Sequence, residues 1–372
     1  MLLTRTPYIR QLLARVHEDR LLLVLLLALP VLLWLVPSNV VSLFHLVEWH
    51  TVTALAGLMV LSRGLEDSGY LARLAAWLLG HQHSQRVLAF ILVVFAALLS
   101  AVITNDVALF VLIPICLSLA RISDIKLGRL VIFLALAVNA GSAMSPVGNP
   151  QNLLLWQASG MTFIEFTRMM LPLAAPLTLF IGLLALLAFP AAPLNFTAAG
   201  TSPRHATLFR WSLFGYVPMI IAIELGVGPV AAICVCALYA LRARTVLRSI
   251  DWWLLLIFVL MFIDLGLLAQ LDSMQHLAQW LITLPGEALS AGALLSQGMS
   301  NVPAAIFLQN FTQDWRGLSW GVTVGGFGFA IGSLANLIAL RLARQPNMWL
   351  AFHLWSVPLF LISLAFAAWL LH

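Results

Sequence analysis

Long apolar blocks alternate with short polar stretches along the whole chain. The blocks cover residues 20–36, 51–65, 87–121, 130–140, 153–157, 169–189, 211–225, 229–241, 252–265, 285–311, 318–340 and 349–371. Their apolar character is continuous rather than alternating, which predicts spanning helices and not barrel strands. Amphipathic helices are predicted over 73–79 and 270–279. Arg5, Arg10, Arg15 and Arg20 precede the first block as in a signal peptide. No small-x-small cleavage site follows, only Pro37-Ser38-Asn39, so an uncleaved first span is expected.

Two blocks are interrupted near their centres. Thr104, Asn105 and Asp106 interrupt one, and Ser300 and Asn301, between Gly298 and Pro303, interrupt the other. Polar residues at membrane depth are costly and persist where they face protein, water or a ligand. The interruptions read as the tips of two re-entrant helical hairpins that meet near the bilayer midplane and hold a transported species. Two further breaks puncture membrane helices. One runs over 139–152 and includes Ser145, Pro146, Gly148, Asn149, Pro150 and Asn152; the other holds Gly332, Ser333 and Asn336. Proline keeps a helix from closing over such a gap, and glycine lets backbones approach. C-terminal half-helix ends then present carbonyls, which suit Na⁺ or another small cation. N-terminal ends present N–H groups, which suit an anion or a polar solute. The candidate substrate or ion site is therefore Thr104, Asn105, Asp106, Ser145, Gly148, Asn149 and Asn152, with Ser300, Asn301, Gly332, Ser333 and Asn336 as its counterpart. Asn105, Asp106 and Asn301 are the candidate Na⁺ ligands.

Single residues refine this picture. Asp106 is the one carboxylate at a tip, fit to ligate a cation or exchange a proton; capping of the following helix is a compatible alternative. Asp264 is either a functional group or a partner of Arg63 or of the backbone. Glu66 and Asp67 are expected at the solvated edge, Glu224 without a specific role, and His81 and His83 in an exposed loop. Cys116, Cys234 and Cys236 lie inside apolar blocks, where helix packing is expected rather than a disulfide or a metal. Gly321, Gly325, Gly328 and Gly332 predict close helix packing. They follow no strand, which excludes a dinucleotide fold.

Composition sets the class. The chain is 62% hydrophobic and 9% charged, with mean hydropathy +1.01, against about 25% charged residues in soluble domains. A net charge of +5 is compatible with nucleic-acid binding, but the basic residues are scattered singly between apolar blocks, as in cytoplasmic loops. With the N-terminus cytoplasmic and the first hairpin re-entrant, all 19 basic residues except Arg168 and Arg316 fall on one side. The two hairpins then enter from opposite faces. Such an inverted repeat is a common plan of secondary transporters. The expectation is an all-α polytopic membrane protein of about 9–10 spans plus two hairpins, each half holding a re-entrant hairpin and a broken transmembrane helix. Repeat 1 covers about residues 49–190, a linker 190–210, scaffold spans 211–250 and repeat 2 residues 251–372, in a single membrane domain. Trp49, Trp252, Trp253, Trp315, Trp320 and Trp349 are expected at membrane interfaces.

The breaks carry a resemblance. Ser145-Pro146-Val147-Gly148-Asn149-Pro150-Gln151-Asn152 resembles the Thr-Pro-Ile-Gly-x-Pro-x-Asn break of the ion transporter superfamily, which includes arsenite permeases, citrate–metal carriers, dicarboxylate carriers and some Na⁺/H⁺ antiporters. Gly332-Ser333-Leu334-Ala335 is similar to the Gly-Ser-Leu-Ala break of its arsenite branch. Residues 104–110, 138–142 and 300–303 further resemble the YbiR-type inner-membrane proteins of enteric bacteria. The resemblance implies a scaffold and a moving transport domain, elevator-type alternating access and often a homodimer. Tips of the dicarboxylate branch read Ser-Asn-Thr, whereas Asp106 and Val302 hold the third positions here. A carboxylate repels a carboxylate and Val302 donates no hydrogen bond. The departure favours a cation, a neutral oxyacid such as arsenite, or an anion that brings its own metal or proton. The functional expectation is a secondary active transporter of a small ion, oxyanion or organic anion, coupled to Na⁺ or H⁺. It would lie in the bacterial cytoplasmic (inner) membrane with its N-terminus cytoplasmic. Its partners would be the bilayer and the solute, with no nucleic acid and no further cofactor. A Na⁺/H⁺ or arsenite antiporter and a passive channel are the alternatives, the channel being separated by its inability to accumulate solute uphill. No paired catalytic His and carboxylate share a depth, which argues against an enzyme.

Overall fold

The computed structural model describes residues 20–71, 73–74, 84–120, 125–193, 205–343 and 347–371. Arg5, Arg10, Arg15, most of the amphipathic 73–79 segment, His81, His83, Arg121, Arg344 and most of the 190–210 linker, Arg204 included, lie outside the described residues. Among the described residues there are eighteen α-helices and one 3₁₀ turn, and no sheet.

The first half opens with α1 (Arg20–Leu35), α2 (Val40–Leu46) and α3 (Trp49–Asp67). The first hairpin is α4 (Gln85–Val102) and α5 (Asn105–Ala120). A broken helix follows, α6 (Leu127–Ser142) and α7 (Pro150–Ser159), and then the long α8 (Phe163–Ala188). The connecting helices are α9 (Ala206–Glu224), α10 (Gly228–Arg242) and α11 (Arg244–Ser249). The second half runs through α12 (Trp252–Leu268) and α13 (Asp272–Ile282), bent by 92° at their junction. It repeats the order: hairpin α14 (Glu287–Met299) and α15 (Asn301–Leu308), broken helix α16 (Trp315–Gly325) and α17 (Leu334–Ala343), long helix α18 (Met348–Leu371). The 3₁₀ turn Ala330–Gly332 sits in the second break.

Helix lengths place the breaks. At about 1.5 Å per residue, α8 is about 39 Å long. The two pieces of its broken neighbour, α6 and α7, come to about 24 and 15 Å. The break therefore lies inside the span, and the tip of the first hairpin meets it there. Both outer ends of that hairpin lie at one end of the bundle. Gln85 N donates to Ala192 O (3.0 Å), Arg86 Nε donates to Phe189 O (3.0 Å), and Arg129 donates to Ala188 O. The same end holds the close of α3 and the start of α9, where His205 N donates to Ser68 O (3.1 Å). The opposite end gathers Glu48, His50, Gln157, Gly160 and Glu224 around one crevice. A second crevice there brings Gln309, Asn310 and Phe311, at the close of the second hairpin, beside Glu48 and Gln270. The bases of the two hairpins thus lie at opposite ends of the bundle.

Packing gathers the helices into two groups, which meet where α12 packs on α15 and α3 on α5 and α7. α3 packs on α9 and α10, and α12 packs on α1, α2 and α3. The hairpins and broken helices pack on one another and on α8 and α18. Ser62 and Tyr216 share a hydrogen bond inside the first group, and Ser212 and Tyr239 share another at 2.6 Å. Gly57, Gly64 and Gly215 let α3 and its partners close on each other.

Four expectations are corrected. Trp320 is not at an interface: it is fully buried between α16 and α8, and its Nε1 donates to Met169 O at 3.0 Å. Arg63 does not reach Asp264 but pairs with Glu66 (3.3 Å) and Asp67 (3.0 Å), one helical turn along the same face. Those two carboxylates are therefore partly buried ion-pair partners rather than free surface groups. Glu224 has a specific role: its Oε2 accepts from Phe163 N (3.2 Å) at the start of α8. The glycine stripe of α16 packs as expected, with a Cβ on Gly321 falling 2.4 Å from Leu289 O of α14.

Candidate functional site

The two tips are built differently. In the first, Ile103 is extended and α5 starts at Asn105. Asn105 N donates to Gly148 O (2.9 Å), so the tip is pinned to the break of α6–α7. Ser145 Oγ donates to Ala101 O (2.5 Å), and Ser100 Oγ to Val138 O (3.1 Å). Thr104 is buried beside them, and its carbonyl accepts from Ala108 N. Asp106 stands in the first turn of α5 and is not its cap; its N–H donates to Asn105 Oδ1 (2.9 Å). Its carboxylate is half-buried and, its own backbone N–H aside, has no basic partner among the described residues. There it faces the positive end of the helix dipole.

In the second tip, Ser300 turns the chain with φ +76°, in a region that non-glycine residues rarely occupy. Strain of this kind persists where the surroundings over-determine it, commonly at ligand sites. The Ser300 hydroxyl is buried without a hydrogen-bond partner among the described residues. Asn301 opens α15 beside Gly326. Gln297, three residues before the turn, clamps the tip to the second break: Nε2 donates to Gly325 O (2.8 Å) and Oε1 accepts from Phe329 N (2.7 Å).

Asparagines close the breaks. Asn149 caps α7, its Oδ1 accepting from Asn152 N (2.8 Å), while its Nδ2 donates to Ser142 Oγ (3.1 Å). Asn152 Nδ2 donates to Ala143 O (3.1 Å) and Ser145 O (3.0 Å). Gly148 passes so close to Ser142 that a Cβ there would fall 2.2 Å from its carbonyl oxygen. In the second break Asn336 Nδ2 donates to Gly326 O (2.8 Å). The two halves are joined by Asn139: its Nδ2 donates to Asn336 Oδ1 (2.7 Å) and Gly326 O (3.3 Å), and its Oδ1 accepts from Ser333 Oγ (3.0 Å). Gly332 packs against Gly325 O.

All twelve predicted residues lie in the tips and breaks, but the structure does not sort them into two separate clusters. Asn336 and Ser333 bond to Asn139 of the first half. Asn139 opens the 139–152 break but is not among the predicted site residues, and Gln297 is not singled out in the sequence. The signal of Gln297 is a lone amide one turn ahead of the Ser300 break, inside an otherwise apolar helix. Asp264 is buried, and neither of its oxygens has a hydrogen-bond partner among the described residues.

A helical bundle with interrupted spans, hairpin tips and buried amides at the breaks defines a polytopic membrane transporter rather than an enzyme. A citrate transporter family model matches residues 12–325, and the chain belongs to this family. It is 41% identical over 95% of both chains to the inner membrane protein YbiR of Escherichia coli K12. It is 33% identical to transporter MJ0456 of Methanocaldococcus jannaschii, over 82% of this chain and 84% of that one. A 46 kDa membrane protein of Mycobacterium leprae is 24% identical over 82% of this chain and 81% of its own.

Proposed function

We propose that the protein is a secondary active transporter of a small ion, oxyanion or organic anion, coupled to Na⁺ or H⁺, in a bacterial inner membrane. The observation that carries the reading is the joining of the two helix breaks through Asn139, each break holding one hairpin tip, with Asp106 at one tip without a basic partner among the described residues. The two tips and two breaks supply backbone donors and acceptors that intact helices would consume internally. The hairpin bases at opposite ends support an inverted repeat. Arginines concentrated at the Arg86 and Arg129 end support a cytoplasmic assignment for that end, the N-terminus included. Movement of the hairpin group against the α3, α9, α10 and α12 group would give elevator-type alternating access.

Asp106 bears on the solute. A carboxylate at the tip attracts a cation and repels a dicarboxylate. Citrate itself, named in the family description, would fit as a metal complex or a protonated species. Purified protein in proteoliposomes, with imposed Na⁺ or H⁺ gradients and a panel of such solutes, tests the reading. Uphill uptake is expected, falling roughly tenfold or more in Asp106→Asn and Asn301→Ala, the effect of about 1.4 kcal/mol. Downhill flux alone would mark a channel, and unchanged uptake in both variants would remove these residues from the site.

A further inference from the structure

The two broken helices match residue for residue. Asn139 and Thr323, Gly141 and Gly325, Gly148 and Gly332, Asn149 and Ser333, and Asn152 and Asn336 are each 184 positions apart. The contacts match as well. A Cβ on Gly141 would meet Ala97 O, and one on Gly325 would meet Ala293 O. α17 packs on α6, and its counterpart α7 packs on α16. The correspondence that carries Asn139 onto Thr323 carries Asn336 onto Asn152 and Gly326 onto Ser142.

At one of these two equivalent places the hydrogen bonds are complete. Asn139 bridges Asn336 Oδ1 and Gly326 O. At the other they are not. Thr323 replaces the longer asparagine, and its Oγ1 is buried without a hydrogen-bond partner among the described residues. Asn152 spends both amide hydrogens on Ala143 O and Ser145 O, which fixes its Oδ1 pointing away, also buried and without a partner. Ser142, the last residue of α6, has Pro146 four residues on, so no N–H is there to meet its carbonyl. No hydrogen bond to that oxygen exists among the described residues. Three oxygens are thus left where the other half has a closed amide bridge. Thr323 is 3% exposed, Ser142 1% and Asn152 0%.

We infer that Ser142 O, Asn152 Oδ1 and Thr323 Oγ1 form a binding site for a small metal cation, with Na⁺ as its ligand. All three are hard oxygen donors, and burying them empty is costly. The carbonyl end of the half-helix α6 adds negative potential. Neither an amide nor a hydroxyl titrates in the ordinary range, so the site takes a metal ion and not a proton. It is separate from the tip residues Asn105, Asp106 and Asn301. The inference rests on the transporter reading for the use of a coupling cation, and on the correspondence of the two breaks and the three unpartnered oxygens for its place.

The test is thermal unfolding of the detergent-purified protein while NaCl replaces choline chloride at constant ionic strength. Na⁺ raises the midpoint of the wild type by mass action. Thr323→Ser keeps the hydroxyl and the response. Thr323→Val, near-isosteric, needs about tenfold or more Na⁺ for the same rise. Thr323→Asn restores the amide bridge seen in the other half: it is at least as stable as the wild type in choline and loses the response. A wild-type midpoint that Na⁺ does not move overturns the site, as do Thr323→Val and Thr323→Asn proteins that respond like the wild type. Uphill uptake lost in Asp106→Asn but retained in Thr323→Val overturns this site alone. Absence of uphill uptake in the wild type overturns the transporter reading, while the Na⁺ response still judges the site.

Discussion

Asn139 holds the two broken helices together with one side chain. Three hydrogen bonds converge on it, all away from water, and removing it strands Asn336 Oδ1 and the Ser333 hydroxyl. Leaving such groups unsatisfied costs about 1–3 kcal/mol, so Asn139→Ala should melt well below the wild type in detergent. Ser363 is the control. It is equally buried, on α18, but its hydroxyl has no partner, so Ser363→Ala should stay within about 0.5 kcal/mol of the wild type. At this scale the sequence was readable where polarity coincided with a broken helix. Asn149 and Asn301 stand next to a Gly, Pro or Ser, Asn152 and Asn336 lie two and three residues beyond Pro150 and Ser333, and Asn105 sits between Thr104 and Asp106. Asn139 opens a break yet still lies in helical α6, and Gln297 lies inside α14; the position of such an amide marks it, but not whether it crosses to another helix or bonds its own turn. Asp264 was seen, but its pairing with Arg63 was not what forms, because Glu66 and Asp67 lie three and four residues from that arginine.

Glycines decide how closely the elements of the hairpin group approach. A Cβ on Gly141 would sit 2.1 Å from the backbone oxygen of Ala97, and α4 cannot yield there as a flexible side chain could. Overpacking of this kind costs about 1–3 kcal/mol or more. Gly141→Ala should therefore lower the melting midpoint and the monodisperse fraction on gel filtration. Gly298, on α14, has nothing within 4 Å of its added Cβ. Gly298→Ala should instead stabilise the helix by up to about 1 kcal/mol. The element order was readable because Pro, Gly and polar residues interrupt membrane-length apolar runs at four places. α2 and α11, of 7 and 6 residues, were not, since neither carries a membrane-length signal. Trp320 misled for a related reason: a tryptophan near the end of an apolar block shows the same pattern beside lipid headgroups as beside a neighbouring helix.

The whole molecule is two helix groups with crevices between them at one end. One crevice, about 280 Å³, separates α7 from α3 and α9; the other, about 360 Å³, separates α15 from α2 and α12. Each is lined by residues of both groups, on the line along which an elevator would slide. If transport requires the hairpin group to move, a covalent strap across that line stops it, while a strap inside one group does not. The free cysteines Cys116, Cys234 and Cys236 are first replaced by serine. Thr51 and Ala158 line opposite walls of the smaller crevice. Leu61 and Gly215 touch within the α3, α9 and α10 group, where a Cβ on Gly215 would lie 2.7 Å from Leu61 Cδ2. Bridging Thr51→Cys to Ala158→Cys with a bifunctional, reducible thiol reagent should abolish uptake in proteoliposomes, and reductant should restore it. Bridging Leu61→Cys to Gly215→Cys should leave most uptake intact. Full activity with the first pair bridged would mean that the two groups do not move against each other during transport, and the solute would then have to pass through the breaks with the hairpins fixed.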